Sequence, residues 1–409
     1  MSREPRCVLI LVQNMSFTYD TRVQNIARTL GRSGYRVRVL CPRYPGDPRS
    51  AVVDGIHVRF VRWPELGAGL VAHLLEYLCS VLALSAHAIR DVLRERVEVV
   101  HICNPPDLFF GLAALLRLTG KAVVFDQHDS WPELFAAHGN GPLLAGIAGL
   151  CTRASLAVAH QTLVTSESAI PAALSRGADP EAIVVVRNGV DLERMPPPAP
   201  DDRRLVGYLG NMNPQDGLTE LLETIRCIRH DHGRTDIRFL LVGDGTLLPA
   251  LRQRVCALGL EQLVTFTGRL SPREAWATLA RCAVCVQPDP PNVFTHISTM
   301  VKSLEYMALG KPIAAFGLVE TRRVCGDAAL YAPDADPRSL AGCVLTLLDD
   351  RRRRAELGAR GRRRVEGSFA WVCSEPALLE AYARLPLNRR GRARGPGRPA
   401  PRAAPGRQP

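Results

Sequence analysis

The stretch His296-Ile-Ser-Thr-Met-Val-Lys-Ser-Leu-Glu-Tyr-Met-Ala-Leu-Gly-Lys-Pro-Ile-Ala-Ala-Phe316 reads as a helix, a stop and a buried strand. Ser298 and Thr299 form a candidate N-cap pair, and Met300, Leu304, Met307 and Ala308 recur at helical spacing. Gly310 ends the helix, Lys311-Pro312 turns the chain, and Ile313 to Phe316 is apolar enough for a strand inside a sheet. A helix N-terminus presents unpaired N–H groups and a partial positive charge, a natural seat for phosphate. Lys302 in the first turn adds a full charge. Glu305 follows on the same side, where a carboxylate accepts two hydrogen bonds from a ribose diol. Phosphate next to sugar hydroxyls suits a nucleotide. On spacing alone, an amphipathic helix with Lys302 and Glu305 solvated is the alternative.

Working outward, the same alternation recurs along the chain. Cys7 to Val12 is a fully apolar strand, a helix capped by Asp20 follows, Gly34 ends it, and Arg36 to Cys41 is the next strand. This is a βαβ unit, whose ligand sites fall at the carboxyl ends of strands. It lacks Gly-x-Gly-x-x-Gly. Further strands are predicted at Ile56–Val61, Val97–Cys103, Lys121–Asp126, Ala157–Thr165 and Ile183–Arg187, with a helix over 70–95 and another starting at Asn104-Pro-Pro-Asp107. Pro196-Pro-Pro-Ala-Pro200 is a stiff linker. The alternation then resumes with strands at Leu205–Leu209, Ile237–Val242 and Cys282–Gln287. A long loop, Pro288–Thr295, leads back to the opening stretch. Residues 336–366 read as helical, and Phe369–Leu385 as a final helix. The predicted organisation is a first α/β domain over 1–190, a linker over 191–203, a second α/β domain over 204–367, a helix over 368–386 and a basic, disordered tail over 387–409.

With 409 residues and 46% apolar content, the chain can bury two ordinary cores. The formal charge is +12, but seven arginines, Arg389 to Arg407, lie in the tail, so +12 less 7 leaves +5 for the body. That argues against a nucleic-acid reader and permits an anionic membrane surface or substrate. Of 52 basic residues only three are lysines, so Lys302 stands out as a point charge suited to phosphate. The twelve cysteines are scattered, and Cys282-Ala-Val-Cys285 has no second pair to complete a metal site; buried free thiols in a reducing cytosol are expected. No signal peptide is expected ahead of the strand at Cys7. The apolar span 66–89 is broken by His73, Glu76 and His87, and reads as a helix packed on a sheet or touching a bilayer surface. Polar residues crowd the carboxyl end of the 121–126 strand, in Asp126-Gln-His128-Asp129-Ser-Trp-Pro-Glu133. Such a cluster points to a site or to a loop-holding network.

These stretches together resemble family 4 glycosyltransferases. The family carries two acidic residues separated by seven, followed by Ala-x-Gly-x-Pro-Val. Glu305 matches the second acid and Ala308-Leu-Gly-Lys-Pro-Ile313 the tail, while Ile297 stands where the first acid would be. Asp126-x-His128-Asp129-x-x-Pro-Glu133 resembles the segment whose histidine contacts the donor sugar near the reacting carbon. Asn188-Gly-Val-Asp191 resembles the close of the first domain, and Asp20-x-Arg22-Val its start, facing the interdomain cleft. The loop Gly210-Asn-Met-Asn-Pro-Gln-Asp-Gly217 departs from the family, which has two diphosphate-clamping cations where this chain has Asn211 and Asp216. The paired changes suggest that charge neutralisation has moved to Lys302. Val264 to Arg269 resembles the strand and loop that hold the nucleobase through main-chain contacts.

The resemblance spans about residues 7–385. It implies a GT-B fold, two doubly wound parallel-sheet (Rossmann-like) domains facing across a cleft, with the C-terminal helix crossing back. It implies transfer of a sugar from a nucleotide diphosphate sugar to a hydroxyl, with retention, in polysaccharide or glycoconjugate biosynthesis. The acceptor would be a sugar, a lipid-linked or a small-molecule hydroxyl, and the setting cytoplasmic, peripheral at the inner face of the membrane. No cofactor and no metal are expected. The implied catalytic residues are His128 and Asp129. The expected donor-binding set is Arg22, Asn211, Gly243, Gly268, Arg269, Ser298, Thr299, Met300, Lys302 and Glu305. Alternatives are a nucleotide-sugar epimerase on the same fold, or a non-catalytic nucleotide-sugar binder.

Overall fold

A computed structural model describes residues 5–64, 70–137, 141–197 and 202–387. Residues 66–69 of the apolar span, 198–201 of the predicted linker and 388–409 of the predicted tail lie outside the described residues. The first sheet contains β1 (Cys7–Leu11), β2 (Arg36–Pro42), β3 (Ser50–Val53), β4 (Ile56–Val61), β5 (Val97–Cys103), β6 (Ala122–Gln127), β7 (Gln161–Val164) and β8 (Ile183–Val185). Its strand order is β3-β4-β2-β1-β5-β6-β7-β8, parallel throughout except for the antiparallel β3–β4 pair. The second sheet contains β9 (Asp202–Leu209), β10 (Arg238–Val242), β11 (Val264–Gly268), β12 (Cys282–Gln287), β13 (Ile313–Phe316) and β14 (Ala329–Ala332), in the order β11-β10-β9-β12-β13-β14, all parallel.

The unbroken apolar runs become central strands because both of their faces are covered by helices. Every residue of β1 and of β12 is buried. Strand order reverses beside β1 in the first sheet and beside β9 in the second, so each sheet has a crevice at its carboxyl edge there. The two crevices face each other.

The predicted final helix is Trp371–Ala383. Trp371, Leu378, Ala381 and Tyr382 enter the core of the first sheet beside Val8, Ile10 and Val39, so this helix does cross back. Trp371 Nε1 donates to Thr29 Oγ1 at 2.8 Å.

Several boundaries differ from expectation. Asn104–Asp107 does not start a helix; Asn104 instead donates to Asp129 O, and the helix begins at Phe110. The predicted 157–165 strand is shorter because the helix Gly141–Val158 occupies its start. The 336–366 segment breaks at Asp350, whose carboxylate caps the helix Arg351–Arg364. The β3 edge strand and the short helix Val293–Ile297 carry too few residues for periodicity to reveal them. All twelve cysteines are free thiols, and burial pushes that of Cys282 up to about 12.

Candidate active site

A cavity of about 380 Å³ lies between the two sheets, at their facing carboxyl edges. Of the twelve residues singled out by sequence, eleven line it: Arg22, His128 and Asp129 from the first sheet's side, and Asn211, Gly243, Arg269, Ser298, Thr299, Met300, Lys302 and Glu305 from the second. Gly268 does not. Its carbonyl already accepts from Gly243 N–H at 3.1 Å and from Thr267 Oγ1 at 2.8 Å, so it stitches β11 to the neighbouring loop instead of facing a ligand.

The helix of the opening stretch is Val301–Ala308, with Met300 at its N-cap position and no side chain capping it. Ser298 and Thr299 are therefore not the cap pair that spacing suggested. Ser298 ends the preceding short helix by donating to Phe294 O at 2.8 Å, and Thr299 Oγ1 donates to Glu320 Oε1 at 3.2 Å. With both hydroxyls engaged elsewhere, the first turn keeps its positive end open to the cavity.

Lys302 and Glu305 are buried, which removes the reading of two solvated charges. Lys302 Nζ donates to Asp289 Oδ1 at 2.7 Å and sits 5.0 Å from the centre of the Tyr208 ring. Asp289 Oδ2 is buried without a hydrogen-bond partner among the described residues. Trp276 Nε1 donates to Glu305 Oε1 at 2.8 Å, and burial pushes the Glu305 carboxyl up to about 7. Asp216, in the loop after β9, is also raised to about 7: burial raises it, Lys302 pulls it back and Asp289 adds to the rise. Lys302 thus reaches the loop in which Asn211 and Asp216 replace the family's cations.

Glycine decides how closely these loops stack. A Cβ at Gly243, whose φ is +139°, would lie 1.8 Å from Gly210 O. One at Gly217 (φ +71°) would lie 2.0 Å from Pro288 O. A larger residue at Gly243 would push the loops after β9 and β10 apart, and one at Gly217 the loops after β9 and β12.

On the facing side, His128 Nε2 lies 2.9 Å from Asp126 Oδ2. Asp126 is fully buried, yet the Arg22 guanidinium and neighbouring imidazoles hold it well below the usual carboxylate range against the desolvation that opposes them. Arg22 makes two bonds to Asp126, at 2.6 and 3.1 Å, and Nη1 donates to Val186 O and Asn188 Oδ1. Four donations thus hold the guanidinium inside the first domain. Arg22 is buried and paired within the first domain while lining the cavity. Asp129 is pushed up by burial, with His128 opposing. Glu133 accepts from Ser130 Oγ and Arg176, away from the cavity.

Arg269 lines the cavity at its rim. Its guanidinium lies over the rings of Tyr19 and Tyr44, at 5.4 and 5.0 Å, and so bridges the two halves at the cavity rim. On another side, Ser166 Oγ donates to Ile297 O at 3.2 Å and Ser168 Oγ to Glu320 Oε2 at 2.5 Å. His101, Cys103 and Asp126 are close enough to share an ion. They fit one poorly: Asp126 is already ion-paired to Arg22, and burial holds the Cys103 thiol well above its usual range.

The sequence profile described as Glycosyltransferase Family 4 matches residues 20–194, and that of Glycosyl transferases group 1 matches residues 203–350. The D-inositol 3-phosphate glycosyltransferase of Kineococcus radiotolerans is 33% identical, over 90% of this chain and 90% of its own. The chain belongs to the family 4 glycosyltransferases. This glycosyltransferase is also 26% identical to a GDP-mannose-dependent phosphatidylinositol monomannoside mannosyltransferase of Corynebacterium glutamicum, over 70% of this chain and 77% of that one. Its fold is that of sucrose-phosphate synthase from Thermosynechococcus elongatus, with a TM-score of 0.74, 19% identity and coverage of 92% and 98% of the two chains. The Anabaena HepE protein, solved with UDP and glucose, matches with a TM-score of 0.67, 16% identity and coverage of 92% and 99%. The fold class, two parallel α/β domains in the GT-B arrangement, is therefore as the sequence led one to expect.

Within this glycosyltransferase, reading by motif passed over Asp289 and Trp276. Each acts by holding a residue that the motif did reveal, and only the strand end at Pro288-Asp289 hinted at either.

Proposed function

We propose that this chain transfers a sugar from a nucleotide diphosphate sugar to a hydroxyl, with retention at the anomeric carbon. One observation carries the reading: the His128–Asp129 loop and the Ser298–Glu305 segment, far apart in sequence, line one cavity. The open helix end and Lys302 suit the diphosphate, the free oxygen of Glu305 suits the ribose diol, and the orphan Asp289 Oδ2 suits a hydroxyl donor of the ligand. The proposed reaction uses neither a cofactor nor a metal. His128 and Asp129 face the reacting centre, and Asn211, Gly243 and the Ser298–Met300 segment shape the donor side. Inositol phosphate, a phosphatidylinositol mannoside and 2-deoxystreptamine appear in the names of relatives, which favours a polyhydroxylated ring as acceptor, free or lipid-linked. A thermal-shift panel of nucleotide diphosphates and their sugars, followed by product analysis with such acceptors, tests this. Stabilisation by one nucleotide class and an axial-linked product are expected. Indifference to every donor, or interconversion of free donor without transfer, defeats the reading.

The same reading has the chain work in the cytoplasm, against the inner face of the membrane. The helices Leu70–Arg94, Phe110–Leu118 and Gly141–Val158 expose Leu78, Leu82, Leu118, Leu143 and Leu150. Exposed Arg90, Arg94, Arg117 and Arg153 flank them, a combination suited to anionic lipid. Gly141–Val158 is long and apolar enough to cross a bilayer, but Ala148, Thr152, Ser155 and Leu156 are buried in the first domain. Sedimentation with vesicles containing phosphatidylglycerol is expected to capture the chain; equal capture by neutral vesicles or none defeats this part.

A further inference from the structure

We infer that Asp126, His101 and Tyr382 are positioning residues that fix the tautomer of His128, leaving its Nδ1 lone pair facing the cavity as an acceptor for a substrate hydroxyl. This rests on the proposed transfer reaction for its chemistry, but the tautomer itself is a property of the chain without substrate.

The assignment follows from counting donors along one buried chain of contacts. Tyr382 Oη lies 2.9 Å from His101 Nδ1, His101 Nε2 lies 3.3 Å from Asp126 Oδ2, and His128 Nε2 lies 2.9 Å from the same oxygen. Asp126 sits under Arg22, whose Nε and Nη2 donate to its two oxygens. A carboxylate paired with a guanidinium only accepts, so both imidazoles must turn an N–H toward it. His101 then carries its proton on Nε2, its Nδ1 is the acceptor, and the Tyr382 hydroxyl donates to it. Burial lowers the His101 pKa, which keeps that ring in the singly protonated form the chain requires.

In its neutral form His128 then has Nε2–H committed to Asp126 and Nδ1 without a proton. Among the described residues no donor meets that nitrogen, and His128 lines the cavity. Arg22 already neutralises Asp126, so the carboxylate acts on the ring chiefly as a hydrogen-bond acceptor that orients it. Asp20 and Asp129 also face His128, from the helix cap of Thr21–Arg32 and from its own loop. The arrangement gives the crossing-back helix a chemical role, because its Tyr382, from the far end of the chain, sets the ring on the reaction side through His101.

The test is two-bond ¹H–¹⁵N correlation of the full chain labelled with ¹⁵N-histidine, with His128 assigned from His128→Gln. The expected spectrum has a protonated Nε2 and an unprotonated Nδ1 at His128. A protonated Nδ1 in the wild-type chain overturns the proposal whatever the activity. Asp126→Asn replaces an acceptor oxygen with an amide that donates, and is expected to shift His128 toward the opposite tautomer. It should lower kcat at least 30-fold while leaving nucleotide diphosphate binding within about threefold. Tyr382→Phe, which keeps the ring packed, should shift the His101 signals and lower kcat by roughly threefold to tenfold. Donor hydrolysis without acceptor separates the two hydroxyl sources: a parallel loss in Asp126→Asn assigns the hydroxyl to the donor sugar, and retention with a raised acceptor KM assigns it to the acceptor. Unchanged kcat in both variants overturns the positioning role.

Discussion

Lys302 Nζ rests 2.7 Å from Asp289 Oδ1 at the base of the cavity, and Asp289 keeps its second oxygen without a partner among the described residues. The ion pair neutralises the lysine before donor arrives and leaves it within reach of an incoming diphosphate. Lys302→Met is expected to weaken nucleotide diphosphate binding on the order of 10- to 100-fold, the range for a charged hydrogen bond. It also strands Asp289, so stability falls. Adding Asp289→Asn should restore the melting temperature without restoring affinity. Calorimetric titration beside thermal unfolding checks both, and unchanged affinity in Lys302→Met means that the charge is supplied elsewhere.

Asp216 introduces an opposing charge. Its carboxyl, raised to about 7, is mostly neutral at pH 6 and mostly ionised at pH 8.5. Ionisation places a negative charge beside the diphosphate seat, so donor KM is expected to rise several-fold across that interval. Asp216→Asn should flatten the profile and bind donor more tightly at the alkaline end. A profile equally steep in the variant would assign the titration to another group.

Glu305 titrates in the same region and bears on stability. Its folded value of about 7 lies above the ordinary 4.5, so its contribution is fully present below 4.5 and is lost as pH rises through 7. Glu305→Gln keeps an acceptor for Trp276 Nε1 and cannot ionise. Its melting temperature should therefore exceed that of the parent at pH 8 by a few degrees and equal it near pH 4.5. Donor affinity should fall roughly tenfold, because an amide oxygen replaces a carboxylate toward the ribose. Differential scanning calorimetry at the two pH values checks the first part.

Arg269 joins the two halves across the cavity rim through Tyr19 and Tyr44. Two such contacts at a partly exposed rim are each worth about 0.5–1 kcal/mol. Arg269→Ala is expected to raise donor KM by roughly threefold to tenfold with kcat within twofold, as read from initial rates. A selective loss of kcat would instead place Arg269 on the reacting groups.

The sequence made the parallel sheets legible because apolar runs such as Cys7–Leu11 and Cys282–Gln287 are buried on both faces and so carry no polar interruption. The donor segment was legible because Lys302 and Glu305 lie on one short helix, where spacing translates into geometry. What remained hidden is tertiary. Nothing local in Asp20-x-Arg22 says that Arg22 will turn inward to Asp126, 104 residues away, and nothing in Val264–Arg269 says that Arg269 will meet two tyrosines from the other half. Ser298 misled for a related reason. A hydroxyl before an apolar run looks like a cap, but the unforeseen helix Val293–Ile297 claimed it first.

Both strands of chain that pass between the halves meet at one point. Val190 N–H donates to Phe369 O at 3.0 Å and Trp371 N–H to Val190 O at 2.9 Å, while a side chain at Gly189 would collide with the Trp371 backbone. Clamped together, these two passes form a single point of attachment about which the halves are hinged. Widening the cavity by rotation about that point would part Arg269 from its tyrosines and Ser166 and Ser168 from Ile297 and Glu320, with the pairs beside Val190 kept.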